Sequence, residues 1–394
     1  MFIQKITNHS PVKYQNTCFI YSKAWFKYKQ EKKAPICFLT ISLPPRHQSG
    51  LNEGTILVMA ELSKSLTSGQ LSHNIRPFNT YSDLTEVADL IELCFAGSLD
   101  RDGKRYLQQM RQFANSTGWL NWIPMAPEWA GSPFIGYVCE ENGELIGNVS
   151  LVPYHIKRKR NYLIANVAVH PDHRRRGIAR NLTMQSIEHA RQHNAAGVWL
   201  NVRDNNQAAI RLYSELGFAE RARRATWHSN HEYPRSQLTS DIKLRPRTSS
   251  DWKLQKDWLD QNYPPQYCWH LPINYNLLHP GFRGSFSRLF STSIVHQFSA
   301  TQTEQLVGVV AWQKVPSRSS YIWLAQPHKC NLSALKTLLI HVQKQIVTRQ
   351  LIILEYPAGY ADDTIQSTGF SLQQTLIWME LNREGSQDQD LINL

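Results

Sequence analysis

One stretch of this chain constrains its fold more than any other, because an apolar run of strand length leads directly into a basic turn and then a helix. The run "NYLIANVAV" ends at Val169, and the turn "HPDHRRRG" follows it. After Gly177 the apolar positions Ile178, Leu182, Ile187 and Ala190 fit one face of a helix. A strand, a short turn and a helix in this order indicate a domain of the α/β (α+β) class.

The basic turn has the features of a site for phosphate groups. Backbone N–H groups in the first turn of a helix have no intrahelical partner, and the helix dipole adds positive potential. Gly177 leaves room where a phosphate approaches the backbone, Ala179 keeps the next turn small, and the arginines add charge around a backbone nest. The turn is therefore predicted to hold a pyrophosphate; the alternative is an ordinary solvated run of charges.

Two motifs resemble the GNAT superfamily of acyl-CoA-dependent N-acyltransferases. Its signature (Arg/Gln)-x-x-Gly-x-(Gly/Ala) directly after a strand stands here as "RRRGIA", residues 174–179, after "VAVHP". Its downstream pattern Asn-x-x-Ala-x-x-Leu-Tyr-x-x-x-Gly-Phe falls on "NQAAIRLYSELGF", residues 206–218. The resemblance covers about residues 74–235.

The resemblance implies acetyl-CoA as co-substrate, an amine as acceptor and no metal. By motif position it implies contacts with acetyl-CoA from the strand end, the turn and one downstream residue, namely Val167, Ala168, Val169, Arg174, Arg175, Arg176, Gly177, Ile178, Ala179, Arg180 and Asn206. It also implies that Tyr213 is the general acid that protonates the departing thiolate. The alternatives are that Tyr213 only packs in an apolar stripe and that Asn206 only caps its helix.

The general base is not identified by the sequence. The segment "WLNVRDNNQAAIRLYSELGF" is particularly similar to the branch of the family that acetylates protein N-terminal amines, but that branch carries a catalytic glutamate where this chain has Asn201. A water chain or one of Glu140, Glu141 and Glu144 remains open for this role, and the amine could also arrive neutral.

A weaker second copy of the same element order follows the first. Around the motifs, the sequence predicts a strand at "NIRPF", a helix with Asp83 as N-cap, a hairpin turning at Asn142-Gly143, and later a strand, a helix and a last strand. Four matches recur in order, with the offset falling from 169 residues at Arg76/Arg245 to 152 residues at Gly217/Gly369. In the second copy, Cys330 to Leu335 replace the basic turn, and Ile365 stands at the position of Tyr213.

These observations predict two GNAT-like mixed-sheet domains in tandem, preceded by a poorly ordered extension. The expected bounds are an extension at 1–73, a catalytic domain at 74–238, a degenerate domain at 239–385 and a tail at 386–394, with Met59 as a possible alternative start. The alternative for the second half is an unrelated α/β domain.

Composition narrows the classes of function. The 394 residues carry a formal net charge of +12, which favours anionic partners. Six scattered cysteines form no metal-ligand spacing, and no apolar run reaches the length of a membrane helix, so we expect a cytoplasmic protein without a membrane partner.

The competing functions are a non-catalytic acyl-CoA sensor and, with less support, a nucleic-acid-binding protein that uses basic patches such as "HIKRKRN". The acceptor amine, which could be a small molecule or a protein amine, and the oligomeric state are not predicted.

Overall fold

The computed structural model describes residues 74–97, 99, 101–115, 135–229, 241–289, 294–314, 319–346 and 350–382. The predictions for the extension at 1–73, the start at Met59 and the tail at 386–394 lie outside these residues, and so does the expected domain boundary at 238/239.

The first half has the order of elements that the sequence predicts. It consists of β1 (Asn74–Pro77), α1 (Leu84–Phe95), α2 (Arg101–Asn115), β2 (Ile135–Glu141), β3 (Glu144–Ile156), β4 (Lys159–Val169), α3 (Ile178–Gln192), β5 (Gly197–Arg203), α4 (Gln207–Glu215) and β6 (Phe218–Ser229).

The second half repeats that order with extra short helices between its first strand and its hairpin. It consists of β7 (Lys243–Pro246), α5 (Trp252–Asn262), α6 (Pro265–Cys268), α7 (Tyr275–Leu278), α8 (Gly281–Leu289), β8 (Ile294–Gln302), β9 (Gln305–Lys314), β10 (Ser319–Ala325), α9 (Leu332–Gln345), β11 (Leu351–Pro357), α10 (Asp362–Ser367) and β12 (Phe370–Leu381).

The twelve strands of the described residues form one mixed sheet in which the two halves exchange their last strands. The strand order is β1-β2-β3-β4-β5-β12-β6-β11-β10-β9-β8-β7. Strand β12 from the second half lies between β5 and β6 of the first, and β6 pairs on its other side with β11 of the second. From either edge, the first five strands of one half are followed by the last strand of the other half. The two central strands are therefore shared between the halves.

An ion pair near each outer edge repeats between the halves. Arg76 on β1 donates from Nη1 to Asp83 at 2.6 Å, and Arg245 on β7 donates from Nη1 to Asp251 at 2.6 Å. The sequence-based role of Asp83 is thereby corrected: it occupies the N-cap position of α1, but its side chain makes no capping bond and instead accepts hydrogen bonds from Arg76 and from the N–H of Asn79. The same arginine–aspartate contact thus ties the first strand of each half to its first helix.

The two hairpins also repeat. The predicted turn at Asn142-Gly143 joins β2 to β3, with both residues at positive φ. Its counterpart joins β8 to β9 through Thr303 and Glu304, which also have positive φ although neither is glycine or asparagine. The common pairing of the strands imposes the turn conformation in both places.

Helices cover both faces of the sheet. On one face α3 and α4 pack on the first half, with Leu182 and Tyr213 in the core, and α9 packs on the second, with Leu335 and Leu338 fully buried. On the other face α1 and α2 cover β2 to β4, and α5 and the segment after it cover β9 and β10. In the described part of the chain, no helix has both the length and the apolar character needed to cross a membrane.

Candidate functional site

A gap opens in the first half where β4 and β5 separate. The two strands pair in parallel only from Asn161/Gly197 to Ile164/Leu200. Beyond that point β4 continues beside β3 to Val169, whereas β5 continues beside β12 to Arg203. We call the space between them the β4–β5 gap; along it, the main-chain edges of the two strands pair with no other strand of the described residues.

A bulge in β4 shapes one wall of this gap. The register between β3 and β4 shifts between Asn148/Ala168 and Ser150/Ala165, and Asn166 within the bulge has φ 50°. The buried Asn148 donates from Nδ2 to the carbonyl oxygen of Asn166 at 3.0 Å, which supports this unusual conformation. Beyond the bulge, the stretch Val167 to Val169, in which the sequence predicts contacts with the co-substrate, stays beside β3 but no longer pairs with β5.

The basic turn leads from this wall into α3. Arg175 has φ 66° and Gly177 has φ 78°, and left-handed residues of this kind produce concave groups of backbone N–H donors. Gly177 is the N-cap of α3, and no side chain in the described part of the chain caps this helix. A Cβ added to Gly177 would meet no atom of the described residues within 4 Å, so these residues leave the space in front of the helix start open. Ile178 is buried below it in the core.

The arginines of the turn divide into two pairs. Arg174 and Arg175 are exposed, although Arg174 also donates from Nε to the carbonyl oxygen of Val169 at 3.2 Å. Arg176 donates two hydrogen bonds to Glu141, at 2.5 and 3.0 Å, and Arg180 forms an ion pair with Glu215 of α4. Exposed ion pairs are weak and exchange readily for an anionic ligand. Arg174 and Arg175 are therefore the more exposed arginines of the run, while Arg176 and Arg180 form ion pairs with the hairpin and with α4.

Asn206 lies at the start of α4 and Tyr213 within it, and Tyr213 belongs to the core cluster against which Val167 and Val169 pack. Asn206 is the N-cap of α4, and its side-chain oxygen accepts a hydrogen bond from the N–H of Ala209 at 3.2 Å. Of the two roles predicted for Asn206, the helix cap is thus observed. Tyr213 is 7% exposed and packs edge-on against Phe218 with ring centroids 6.1 Å apart. Burial raises the pKa of the Tyr213 hydroxyl to about 12, so the group stays protonated at neutral pH. Val167 and Val169 pack against the same core cluster.

The carboxylates of the hairpin face other partners. Glu140 accepts from Arg76 at 2.8 Å, and Glu141 accepts from Arg176 and lies 3.1 Å from Nδ1 of His173. Asn201 is cross-strand partner of Trp378 on β12, so both side chains lie on the sheet face opposite α3 and α4. No carboxylate of β5 is available on that face beside the gap.

The corresponding gap in the second half is filled by its own side chains. Strands β10 and β11 pair only up to Ile322/Leu354, as in the first half. Past that point the N–H of Leu324 donates to the Tyr263 hydroxyl at 3.1 Å, and Asn262 donates from Nδ2 to the carbonyl oxygens of Leu324 and Gln326, both at 3.2 Å. The helix that follows is capped by Asn331, which accepts from the N–H of Ala334 at 3.0 Å. The main-chain groups that are open in the first gap are thus bonded internally in the second.

Sequence reasoning missed the residues that fill the second gap and those that line the face beside Asn201. The falling offset between the halves contains one usable signal, because it makes Glu355 of β11 the equivalent in the second half of Asn201 in the first. Nothing in the spacing indicates Tyr263, Asn262 or Trp378, since their positions follow from the packing of α5 and from the exchange of strands.

Comparisons with known proteins agree with this geometry. Residues 93–218 match the model of the Acetyltransferase (GNAT) family. The [ribosomal protein bS18]-alanine N-acetyltransferase of Escherichia coli K12 is 41% identical over 63 residues, which are 16% of this chain and 43% of that protein. The L-amino acid N-acyltransferase MnaT of the same organism is 33% identical over 90 residues, 23% of this chain and 51% of that protein. The chain therefore spans about half the length, or less, of these curated relatives.

A solved structure resembles a larger part of the chain. It is described as a GCN5-related glucosamine N-acetyltransferase region in a fungal multi-domain GH3 β-N-acetylglucosaminidase, and it aligns with 79% of this chain and 38% of its own at a TM-score of 0.50 and 11% identity. At this identity the similarity concerns the fold alone. The comparisons support the GNAT acetyltransferase family for the segment that holds the gap and the basic turn.

Proposed function

We propose that this protein transfers an acetyl group from acetyl-CoA to a primary amine, and that the reaction takes place in the β4–β5 gap. The observation that carries the proposal is the conjunction of three features that border one core cluster: an open strand edge at Val167–Val169, a helix start at Gly177 without a side-chain cap, and the buried Tyr213. Each feature serves a different part of an acyl-CoA thioester.

In the proposed mechanism, the backbone of Val167 to Val169 pairs with the pantetheine arm, and the N–H groups ahead of α3, with Arg174 and Arg175, hold the pyrophosphate. A backbone N–H of β4 polarises the thioester carbonyl. The neutral amine attacks the carbonyl carbon directly in a ternary complex, the C–S bond breaks, and Tyr213 gives its proton to the departing thiolate. Asn206 contributes a further contact with the co-substrate through its amide.

The second half is proposed to be a degenerate copy that binds no acetyl-CoA. Three contacts support this view: the Tyr263 hydroxyl and the Asn262 amide bond the edge of β10, and Asn331 caps the helix that replaces α3. An acetyl-CoA molecule bound as proposed for the first half would have to displace all of them, the pantetheine arm at the strand edge and the pyrophosphate at the helix start. The role of this half is to complete the sheet and to cover the acceptor side of the first half.

The acceptor is proposed to be a primary amine of a protein N-terminus or of a small amino compound. Two relatives support this choice, because by name one acts on an alanine of ribosomal protein bS18 and the other on L-amino acids. Because acceptor pockets lie on variable loops, the matched motifs support the chemistry more strongly than the choice between these amines.

The test is a titration with acetyl-CoA followed by turnover. Binding of one acetyl-CoA per chain, together with release of free thiol when a panel of amines is added, is the expected result. Binding without turnover of any amine would favour an acyl-CoA sensor instead. If the protein binds nucleic acid but no acetyl-CoA, the result would favour a nucleic-acid-binding protein that uses its basic patches.

A further inference from the structure

The β5 wall of the β4–β5 gap carries two polar side chains on one face of the sheet. Beyond its last pairing with β4 at Leu200, β5 continues through Asn201, Val202 and Arg203. Side chains alternate along a strand, and Val202 is buried in the core under α3 and α4, so Asn201 and Arg203 lie on the opposite face. Leu376, the cross-strand partner of Arg203, packs in the apolar cluster on that opposite face. Asn201 and Arg203 therefore line the gap side by side.

This face is the open approach to the gap in the described part of the chain. The side chains of Asn201 and Arg203 are half-buried, and so is Asn166 on the β4 wall, whereas Val202 on the other face is only 6% exposed. Tyr213 belongs to the core cluster on that other face. An acceptor amine would thus approach from the side of Asn201 and Arg203, and the thiolate would leave towards Tyr213.

Arg203 supplies the charge of the two walls on this face. The walls consist of residues 165–169 of β4 and 201–203 of β5, and no other residue in them is charged. Glu380 on the neighbouring β12 is cross-strand partner of Trp199, on the side of Asn201 away from Arg203. It also accepts a hydrogen bond from Nε of Arg221 at 3.2 Å. The open side of the gap is therefore positively charged and contains no carboxylate that would attract a cation.

Asp204, the residue after Arg203, acts on the other face of the sheet. The pKa of Arg223 is raised chiefly by Glu220 and also by Asp204. Arg223 is the cross-strand partner of Ile377, which is buried in the core under α3 and α4. The nearest carboxylate in the sequence is therefore placed on the side of α4, away from the open approach.

We propose that the acceptor is an α-amino acid and that Arg203 binds its carboxylate. This inference rests on the proposed acetyltransferase function and names the substrate class within it. A guanidinium presents parallel N–H donors that match the two oxygens of a carboxylate, whereas an acceptor that carries only ammonium groups would meet a like charge at this place. Arg203 is in this scheme a specificity-determining residue that takes no part in proton transfer.

The spacing of the two polar residues suits such an acceptor. Asn201 and Arg203 are two residues apart on one strand, about 6.6 Å, and the carboxylate carbon of an α-amino acid is two bonds from its amine nitrogen. The side-chain oxygen of Asn201 accepts from an N–H of the neutral amine, while Arg203 holds the carboxylate. The lone pair of the nitrogen remains available for attack on the acetyl group held along β4.

The first measurement needs no substitution. Several L-amino acids are each compared with the corresponding amino acid amide, which keeps the amine and the side chain but lacks the carboxylate. A hydrogen-bonded contact with a charged group is worth about 10–100-fold in binding, so kcat/KM of the wild-type protein should be at least about tenfold higher for the acids. N-terminal amines of short peptides, which also lack the adjacent carboxylate, should behave like the amides.

The second measurement assigns this preference to Arg203. In the full-length protein, Arg203→Gln should raise KM for the amino acid by about 10–100-fold and leave kcat near the wild-type value. KM for the amide and affinity for acetyl-CoA should stay unchanged, because neither involves the carboxylate. Arg203→Lys keeps the charge but loses the paired donors, so its KM should rise less, and again only for the amino acid.

Arg158→Gln is the matched control. Arg158 is an exposed arginine in the turn between β3 and β4, and β4 begins there and reaches the gap only at its other end. The substitution removes the same charge from the protein. Both KM values of Arg158→Gln should equal those of the wild-type protein, so an effect of net charge alone would be detected.

Two outcomes would overturn the inference. One is a wild-type protein that acetylates the amides or the peptides as well as the amino acids or better. The other is a rise in KM of Arg203→Gln that is equal for acid and amide, which would indicate a structural role. Should Arg203→Gln fail to fold, Arg203→Lys and the wild-type preference decide. A protein that binds acetyl-CoA but acetylates no amine would refute the proposed function, and this inference with it.

Discussion

At the scale of single residues, the hydroxyl of Tyr213 is the most specific test of the proposed chemistry. Tyr213→Phe keeps the ring and its contact with Phe218 but removes the proton donor. Turnover should fall by about 10²-fold, the lower end of the range for a positioned acid, because water can protonate a thiolate slowly. Affinity for acetyl-CoA should barely change. Steady-state turnover and acetyl-CoA titration on the same preparation measure both effects.

The pKa of Tyr213 adds a pH dependence to this prediction. A tyrosine donates only below its pKa, and burial raises that pKa to about 12, so turnover should not decline between pH 8 and 10 through loss of this proton. Tyr356→Phe is the control, because Tyr356 is 1% exposed in the second core and far in sequence from the gap. Equal turnover of all three proteins would assign Tyr213 to packing alone.

The residues of the basic turn show where sequence reasoning reaches its limit. The run of arginines and Gly177 are visible in the sequence, and Gly177 has a positive φ, which glycine adopts without steric cost. The sequence does not indicate the two ion pairs, Arg176 with Glu141 and Arg180 with Glu215. The carboxylates come from a hairpin and from another helix, so only the folded structure brings them to the turn. A motif indicates which residues are near a site, whereas tertiary contacts decide which of them are free.

At the scale of elements, the start of α3 gives a prediction on co-substrate binding. Gly177→Glu introduces a carboxylate into the open space in front of the helix, where the proposed pyrophosphate lies. Affinity for acetyl-CoA should fall by at least about tenfold, or 1.4 kcal/mol, because the added carboxylate repels the phosphates and occupies their space. Calorimetric titration with acetyl-CoA measures it.

A glycine of the second half separates this effect from backbone strain. Gly359 has φ 77°, close to the φ of 78° at Gly177, and an added Cβ would likewise meet no atom within 4 Å. Gly359→Glu should therefore cost a similar amount of stability and leave the affinity for acetyl-CoA unchanged. Equal affinities of the two variants would contradict the phosphate site.

The elements themselves were largely predictable in the first half. Asn142-Gly143 indicates its hairpin because both residues tolerate positive φ, and the period of Ile178 and Leu182 indicates α3. The turn at Thr303 and Glu304 carries no such signal, and it adopts the same conformation because the paired strands on both sides require it. The bulge at Asn166 is also invisible, since it depends on a hydrogen bond from Asn148 on the neighbouring strand.

At the scale of the whole molecule, the exchange of strands could not be inferred from either half alone. The sequence predicts a last strand in each half, and β6 and β12 are present at those places. Which strand lies beside β5 depends on the packing of both halves together, and periodicity within a strand holds no information on it. The consequence is that Ile377 and Met379, near the end of the chain, are buried in the core formed by α3, α4 and β5.

This shared core predicts that the two halves unfold as one unit. Ile377→Ala removes a side chain that is 2% exposed, and the cavity should cost about 2–5 kcal/mol. Ile322→Ala, at a fully buried position on β10 of the second core, should cost a similar amount. Both variants should lower the midpoint of a single urea transition with an unchanged slope, because either cavity weakens the one sheet that both halves build. Hydrogen exchange should accelerate in β5 and β6 of Ile377→Ala, although the substituted residue belongs to β12. Two resolved transitions, with Ile377→Ala moving only that of the second half, would show instead that each half is stable alone and that β12 contributes little to the first.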